Sequence, residues 1–214
     1  MRMLFEHHEG GRSVRVYEDC AAGSRLYIDG RALYTHVDAM GDNLLRYIEA
    51  MARQLHGASD VLLLGTAGGA LATCLSRRGA KVTAVDNWPM AFEIARRWFH
   101  LPSDVDCVHA EALAFLRATP RRWPAIAIDV FKGERIPKAF IVGDVGAALT
   151  RAVDPGGLVV WNVADSPNSH AARQIETLLQ VEGWAASRIA VMDADVGNTL
   201  VIGRAPMLDE RQAA

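Results

Sequence analysis

The sequence predicts an α/β protein with a mostly parallel sheet, helices on both sheet faces and a small β-hairpin in front. Three observations carry this prediction. Apolar and polar residues alternate in two runs near the start, short apolar runs alternate with helical stretches from residue 60 onward, and a short link joins the last two runs. With 214 residues, 50% of them apolar, the chain can form one domain with a substantial core.

Composition excludes several classes of function. The formal net charge is −2, whereas a nucleic-acid-binding face needs a basic excess, so we expect no nucleic-acid partner. No apolar run approaches the ~18 residues of a membrane span, and the first residues show no secretory signal, so we expect no membrane association. Cys20, Cys74 and Cys107 are far apart and odd in number. This pattern argues against a disulfide framework and favours a reducing, cytoplasmic location. We also expect no metal site.

The first 39 residues predict an appendage built on the hairpin. Residues Ser13–Glu18 and Arg25–Gly30 alternate as two half-buried strands. Apolar residues at helical spacing then predict a helix over Met40–His56, which Gly57 would end. We expect the main domain to span residues 40–206 and residues 207–214 to form a tail.

From residue 60 the pattern predicts five parallel strands, at Asp60–Leu64, Lys81–Asp86, Val105–His109, Ala125–Val130 and Leu158–Val163. Helices fit between and after them, at Gly69–Arg78, Met90–Phe99, Ala112–Arg117, Lys138–Val153 and His170–Val181. Strands that are apolar on both faces indicate a parallel sheet covered on both sides. The runs Trp184–Met192 and Thr199–Gly203 are close enough only for antiparallel pairing. This order predicts a class I methyltransferase-like Rossmann fold, a mostly parallel seven-stranded sheet with an antiparallel last strand.

A glycine-rich turn, Gly65–Thr66–Ala67–Gly68, follows the first parallel strand. Small residues there let the backbone approach a ligand, although the same turn could be a tight connection only. Asp86 ends the next strand 21 residues after Gly65, with Asn87 beside it. Its carboxylate can accept both hydroxyls of a ribose, or it can cap the following helix. The spacing favours a nucleoside site, and Ala67 disfavours NAD because the NAD motif has glycine there.

Three further polar groups follow strands. Glu111 and Ala112 begin the helix after the third strand, where Glu111 can contact an adenine edge or favour the helix dipole. Asp129 ends an apolar strand at the sheet edge that binds ligands in open α/β sheets, and capping of the next loop is its alternative role. His36, close to Asp38, is a candidate general base or a polar loop residue.

Taken together, residues Val14–Val163 resemble the spermidine synthases and the spermidine-synthase-like branch of class I S-adenosylmethionine-dependent transferases. The resemblance rests on the hairpin ending at Gly30, the turn Gly65–Ala70, Asp86, Glu111, the segment Asp129–Pro137 and the turn Asp154–Leu158. It implies a site for S-adenosylmethionine, its decarboxylated form or methylthioadenosine. It also implies that Asp86 holds the ribose, Glu111 lies by the adenine and Asp129 faces the sulfonium and the acceptor.

The chain departs from this family at the amine-binding residues. Lys132 replaces the second acid of a D-x-x-D motif, and a lysine ~5 Å from a substrate ammonium costs about 3 kcal/mol at an effective dielectric of about 20. Only Asp38 remains of an acidic, tyrosine-containing stretch, and Gly68 stands where the family has an aspartate. We therefore expect methyl transfer to a small-molecule acceptor. Aminopropyl transfer and a non-catalytic nucleoside-binding homologue are the alternatives, and the family suggests a homodimer.

Overall fold

The structure is a computed structural model that describes residues 1–10, 12–193 and 196–207. The expected tail, residues 207–214, lies outside these ranges except for the exposed Met207. No helix in the described ranges is long and apolar enough to cross a membrane.

The N-terminal region is a four-stranded antiparallel sheet. Its strands, in spatial as well as sequence order, are β1 (Arg2–Glu9), β2 (Arg12–Asp19), β3 (Ser24–Asp29) and β4 (Ala32–Val37). The predicted hairpin is its central pair, β2 and β3. The sequence prediction missed β1 and β4. Because β1 is an edge strand whose residues are mostly exposed, it lacks the alternation that marks a half-buried strand.

The main sheet has seven strands, and it confirms the predicted class I methyltransferase-like architecture. They are β5 (Asp60–Leu64), β6 (Lys81–Asp86), β7 (Asp106–His109), β8 (Trp123–Ile128), β9 (Val153–Val163), β10 (Ala185–Asp193) and β11 (Val196–Arg204), in the order β10-β11-β9-β8-β5-β6-β7. Strands β5 to β9 pair in parallel, whereas β11 is antiparallel to both of its neighbours. The strand order reverses at β5, so the crevice for a ligand lies beyond the carboxyl ends of β5, β6 and β8.

Within the part of the chain that the structure describes, six α-helices cover the sheet: α1 (Arg46–Gln54), α2 (Ala70–Arg77), α3 (Ala91–Trp98), α4 (Ala112–Ala118), α5 (Val145–Ala152) and α6 (His170–Val181). Helices α1–α3 and the N-terminal sheet share one apolar core, and α4–α6 share the other. In β5, Val61 and Leu63 belong to the first core while Leu62 and Leu64 belong to the second. This alternation shows why the strand is apolar on both faces.

Two predicted helices are shorter than expected. Helix α1 begins at Arg46 because a turn precedes it, in which Asp38 Oδ1 accepts the N–H groups of Met40 and Asp42 at 2.9 and 2.8 Å. The expected helix Lys138–Val153 divides into a 3-10 turn, Lys138–Phe140, and helix α5. Between them lies Gly143, whose φ of +98° is not helical.

The N-terminal sheet packs on the first face through aromatic contacts. The Phe5 and Trp98 ring centroids are 5.1 Å apart, and those of Tyr27 and Phe99 are 6.2 Å apart. Arg25 also donates to the Trp98 carbonyl at 3.0 Å. These contacts hold the sheet against the main domain, next to the ligand-binding edge.

Candidate active site

A cavity of about 500 Å³ lies between the N-terminal sheet and the carboxyl ends of β5, β6 and β8. That volume is within the usual range for a small-molecule site. The structure brings eight sequence-predicted site residues to it, but not Gly68 or the candidate base His36; the eight are Gly65, Thr66, Ala67, Asp86, Asn87, Glu111, Ala112 and Asp129. Residues far apart in sequence therefore meet in one concave site.

The glycine turn is packed tightly against the end of β8. Gly65 has a φ of +87°, and a Cβ built on it would lie 2.2 Å from the backbone oxygen of Asp129. Ala67 also has a positive φ, +47°, which a non-glycine residue adopts at a conformational cost. The turn therefore exposes its backbone to the cavity. A residue larger than glycine at position 65 would displace the backbone of Asp129.

Gly68 contacts strand β4. It does not line the cavity; its N–H donates to the Thr35 hydroxyl at 3.0 Å, in a buried position. A Cβ at position 68 would lie 2.8 Å from that hydroxyl oxygen. The hydrogen bond between Gly68 and Thr35 therefore holds strand β4 against the glycine turn. No local sequence pattern could indicate this contact.

Asp86 joins two loops at the cavity wall. Its Oδ2 accepts the Thr66 N–H at 3.0 Å and its Oδ1 accepts the Trp88 N–H at 2.9 Å. Each carboxylate oxygen can accept a second hydrogen bond. The helix-capping alternative is wrong, because α3 begins after Met90 and no side chain caps it. Asp86 instead holds the loops in place and still has acceptor capacity toward the cavity.

Glu111 shows the same combination. Its side chain caps α4 by accepting the N–H groups of Leu113 and Ala114 at 3.1 and 2.7 Å, and it also lines the cavity. Next to it, the carbonyl of Asn87 is 3.0 Å from Nε2 of His109. Within the chain, Glu111 therefore contacts the N-terminus of α4, which agrees with the helix-terminus alternative drawn from the sequence.

Asp129 lies on the cavity floor and is held from behind by buried polar groups. Asn162 Nδ2 donates to its Oδ1 at 2.8 Å, and Asn198 Nδ2 donates to Asn162 Oδ1 at 2.9 Å. The Tyr47 hydroxyl lies near the Asp129 carboxylate and donates to the backbone carbonyl of Tyr34 at 3.1 Å. Burial raises the pKa of Asp129 to about 6, and the polar groups of Asn162 and Tyr47 oppose that rise.

The N-terminal sheet supplies cavity residues that the sequence analysis missed. Arg12 pairs with Asp29 at 2.6 Å, and its guanidinium lies 4.4 Å from the ring centroid of Trp88. The Tyr34 hydroxyl donates to the carbonyl of Gly133, in the loop after β8. The contacts of Arg12 with Trp88 and of Tyr34 with Gly133 join segments about 75 to 100 positions apart, so spacing in the sequence carries no signal for them.

His36 lies outside the cavity lining. Its Nε2 is 3.1 Å from the Ser24 hydroxyl, and burial lowers its pKa. Asp38 is engaged in the turn before α1 and does not orient it. His36 is a polar residue in these contacts, but it lies in strand β4 and not in the loop that the sequence analysis expected. In the described ranges, no group of three or more His, Cys, Asp or Glu residues is arranged to hold a metal ion.

Comparisons with known proteins give structural matches only. No protein-family model and no curated protein matches the chain. A probable spermidine synthase from Corynebacterium glutamicum is similar with a TM-score of 0.79 at 18% identity, over 95% of this chain and 81% of that one. The chain has the spermidine synthase fold. A spermidine synthase in complex with the transition state analogue AdoDATO gives a TM-score of 0.73 at 13% identity, over 95% and 72%.

Methyltransferases with this fold match a smaller part of the chain. An O-methyltransferase from Bacillus cereus in complex with SAH gives a TM-score of 0.58 at 15% identity, over 77% of this chain and 83% of that one. The matches to spermidine synthases, by contrast, cover 95% of the chain. The N-terminal sheet together with the main domain is therefore the arrangement that this chain shares with spermidine synthases.

Proposed function

We propose that this protein is a transferase that binds S-adenosylmethionine or a close analogue in the cavity and moves its methyl group to a small-molecule acceptor. One observation carries the proposal: a carboxylate, Asp129, lies on the floor of a cavity that the glycine turn and Asp86 also line. The structural neighbours support the donor class, since one is in complex with AdoDATO and another with SAH.

The chain's own residues fit such a donor. Gly65 to Ala67 offer a backbone surface without bulky side chains, and Asp86 has acceptor capacity for the ribose hydroxyls. Glu111 and Ala112 would lie at the adenine end, where α4 begins. When bound, S-adenosylmethionine supplies a methyl group made electrophilic by a positively charged sulfur.

Asp129 would serve as the proton acceptor. Its carboxylate takes the proton that the acceptor's hydroxyl or amine loses as that oxygen or nitrogen bonds to the methyl carbon, while the carbon–sulfur electron pair stays on the sulfur. A pKa of about 6 keeps Asp129 ionised at neutral pH and makes it a stronger base than an ordinary aspartate. Asn162, which Asn198 holds in turn, keeps the carboxylate in position. Methyl transfer needs little more than alignment of the nucleophile with the methyl group.

Aminopropyl transfer to an amine is the second candidate. The observation in its favour is that the spermidine synthases match the N-terminal sheet as well as the main domain. Lys132 speaks against it, since this lysine lines the cavity three residues after Asp129 and would repel a polyamine.

Calorimetric titration separates these functions. The purified protein is titrated with S-adenosylmethionine, decarboxylated S-adenosylmethionine, methylthioadenosine and NAD, and we expect S-adenosylmethionine to bind most tightly. Preference for the decarboxylated form would support aminopropyl transfer instead. Binding of none of the three sulfur nucleosides would refute both functions.

A further inference from the structure

The charges that line the cavity are unevenly compensated. Six charged side chains face it: Arg12, Asp29, Asp86, Glu111, Asp129 and Lys132. Arg12 and Asp29 form an ion pair, and each of the other three carboxylates accepts hydrogen bonds from the chain. Lys132 differs from all of them, because no ion pair joins its ammonium to a carboxylate anywhere in residues 1–10, 12–193 and 196–207.

The position of Lys132 is fixed by the loop that carries it. Its backbone N–H donates to the Arg135 carbonyl at 2.8 Å, and the next carbonyl, that of Gly133, accepts the Tyr34 hydroxyl. The loop thus forms a closed turn tied to strand β4. These bonds fix the backbone of Lys132 at the cavity wall, three residues after Asp129, and its exposed side chain extends from there.

The wall next to Lys132 is aromatic. The rings of Tyr34 and Phe131 also line the cavity, with their centroids 6.0 Å apart. The two rings are tilted by 52° to each other, and together they provide an apolar surface that suits an apolar ligand body. The part of the cavity around Tyr34 therefore combines an apolar wall, the positive charge of Lys132 and the carboxylate of Asp129, with the Arg12–Asp29 ion pair nearby.

We propose that the acceptor is an anionic small molecule, one whose carboxylate pairs with Lys132 while its nucleophilic atom faces Asp129. This inference rests on the proposed function and names the substrate class for it. An anionic group gains a charge-assisted hydrogen bond to the ammonium, whereas a neutral analogue leaves the ammonium unpaired and a cationic analogue is repelled. Lys132 thus selects the acceptor by charge, and Asp129 takes its proton.

Three matched probes test the charge preference directly. They are para-hydroxybenzoate, para-hydroxybenzamide and para-(aminomethyl)phenol, which share a phenol and carry a negative, a neutral and a positive substituent. Binding of each is measured by calorimetry or ligand-observed NMR, both with the protein alone and with saturating SAH. The wild-type protein should bind the benzoate at least about tenfold more tightly than the amide, and the amine most weakly.

Variants of Lys132 identify the source of the preference. Lys132→Met should reduce the difference between benzoate and benzamide to less than about twofold, and Lys132→Asp should reverse the order of benzoate and amine. Lys81→Met is the matched control, since Lys81 is exposed at the start of β6, away from the carboxyl edge of the sheet. It should keep the wild-type order.

The possible failures are distinguishable. Equal binding of the three probes, binding of none of them, or a benzoate preference that persists in Lys132→Met would each overturn the anionic acceptor, while bound SAH would leave the nucleoside site in place. Failure of the protein to bind SAH counts against the proposed function instead. The probes added to the protein alone still decide the charge preference of the cavity.

Discussion

Gly65→Ala tests how closely the glycine turn and Asp129 depend on each other. Two costs add in this variant. The left-handed backbone at φ +87° costs an alanine about 1–2 kcal/mol. The new Cβ would also lie 2.2 Å from the Asp129 carbonyl oxygen, so the turn or the end of β8 must move, an overpacking cost of about 1–3 kcal/mol. We expect a total destabilisation of about 2–5 kcal/mol and a loss of nucleoside binding.

Gly79→Ala is the matched control. Gly79 has a φ of +88°, yet a Cβ there would meet nothing within 4 Å. It should therefore cost only the backbone conformation, about 1–2 kcal/mol, and leave nucleoside binding unchanged. The free energy of unfolding is measured by urea denaturation with circular dichroism. If the two variants differ by less than about 0.5 kcal/mol, the tight contact between Gly65 and Asp129 does not exist in solution.

Three further variants probe the site. Burial raises the pKa of Asp129 to about 6, above its ordinary value of 3.8. Ionisation of this carboxyl therefore lowers the free energy of unfolding of the wild-type protein as the pH rises from about 4 to 6. Asp129→Asn should abolish transfer, and above pH 6 it should be more stable than wild type by about 2–3 kcal/mol. A pH-independent stability difference in urea denaturation would contradict this. In titration, Asp86→Ala should weaken nucleoside binding at least about tenfold. Asp104→Ala is the control, since Asp104 lies on the exposed surface, and it should leave the affinity unchanged. Equal affinities of the two variants would show that Asp86 does not bind the ribose. Thr35→Val leaves the buried Gly68 N–H without an acceptor and should lower the free energy of unfolding by about 1–3 kcal/mol, whereas Thr35→Ser should restore most of it. Full stability of the valine variant would show that this docking bond is dispensable.

The parallel strands were predictable because their pattern is local. The bounds of β5 and β6 match the sequence prediction residue for residue, since apolar runs between helices identify strands buried on both faces. The convergence of Asp86 and Asp129 also followed, because the carboxyl ends of parallel strands share one edge. The edge strand β1 carries no such pattern, and the prediction missed it.

By itself, the sequence determined the architecture of the main domain and the chemical types of the groups at its ligand-binding edge. Only the tertiary structure decided what each group contacts. It placed the Thr35 hydroxyl against Gly68, surrounded Asp129 with Asn162 and Tyr47, and left Lys132 on the cavity wall without an ion pair. The physical reason is one of range: periodicity and strand ends follow from neighbouring residues, whereas burial and pairing depend on segments that only the folded chain brings together.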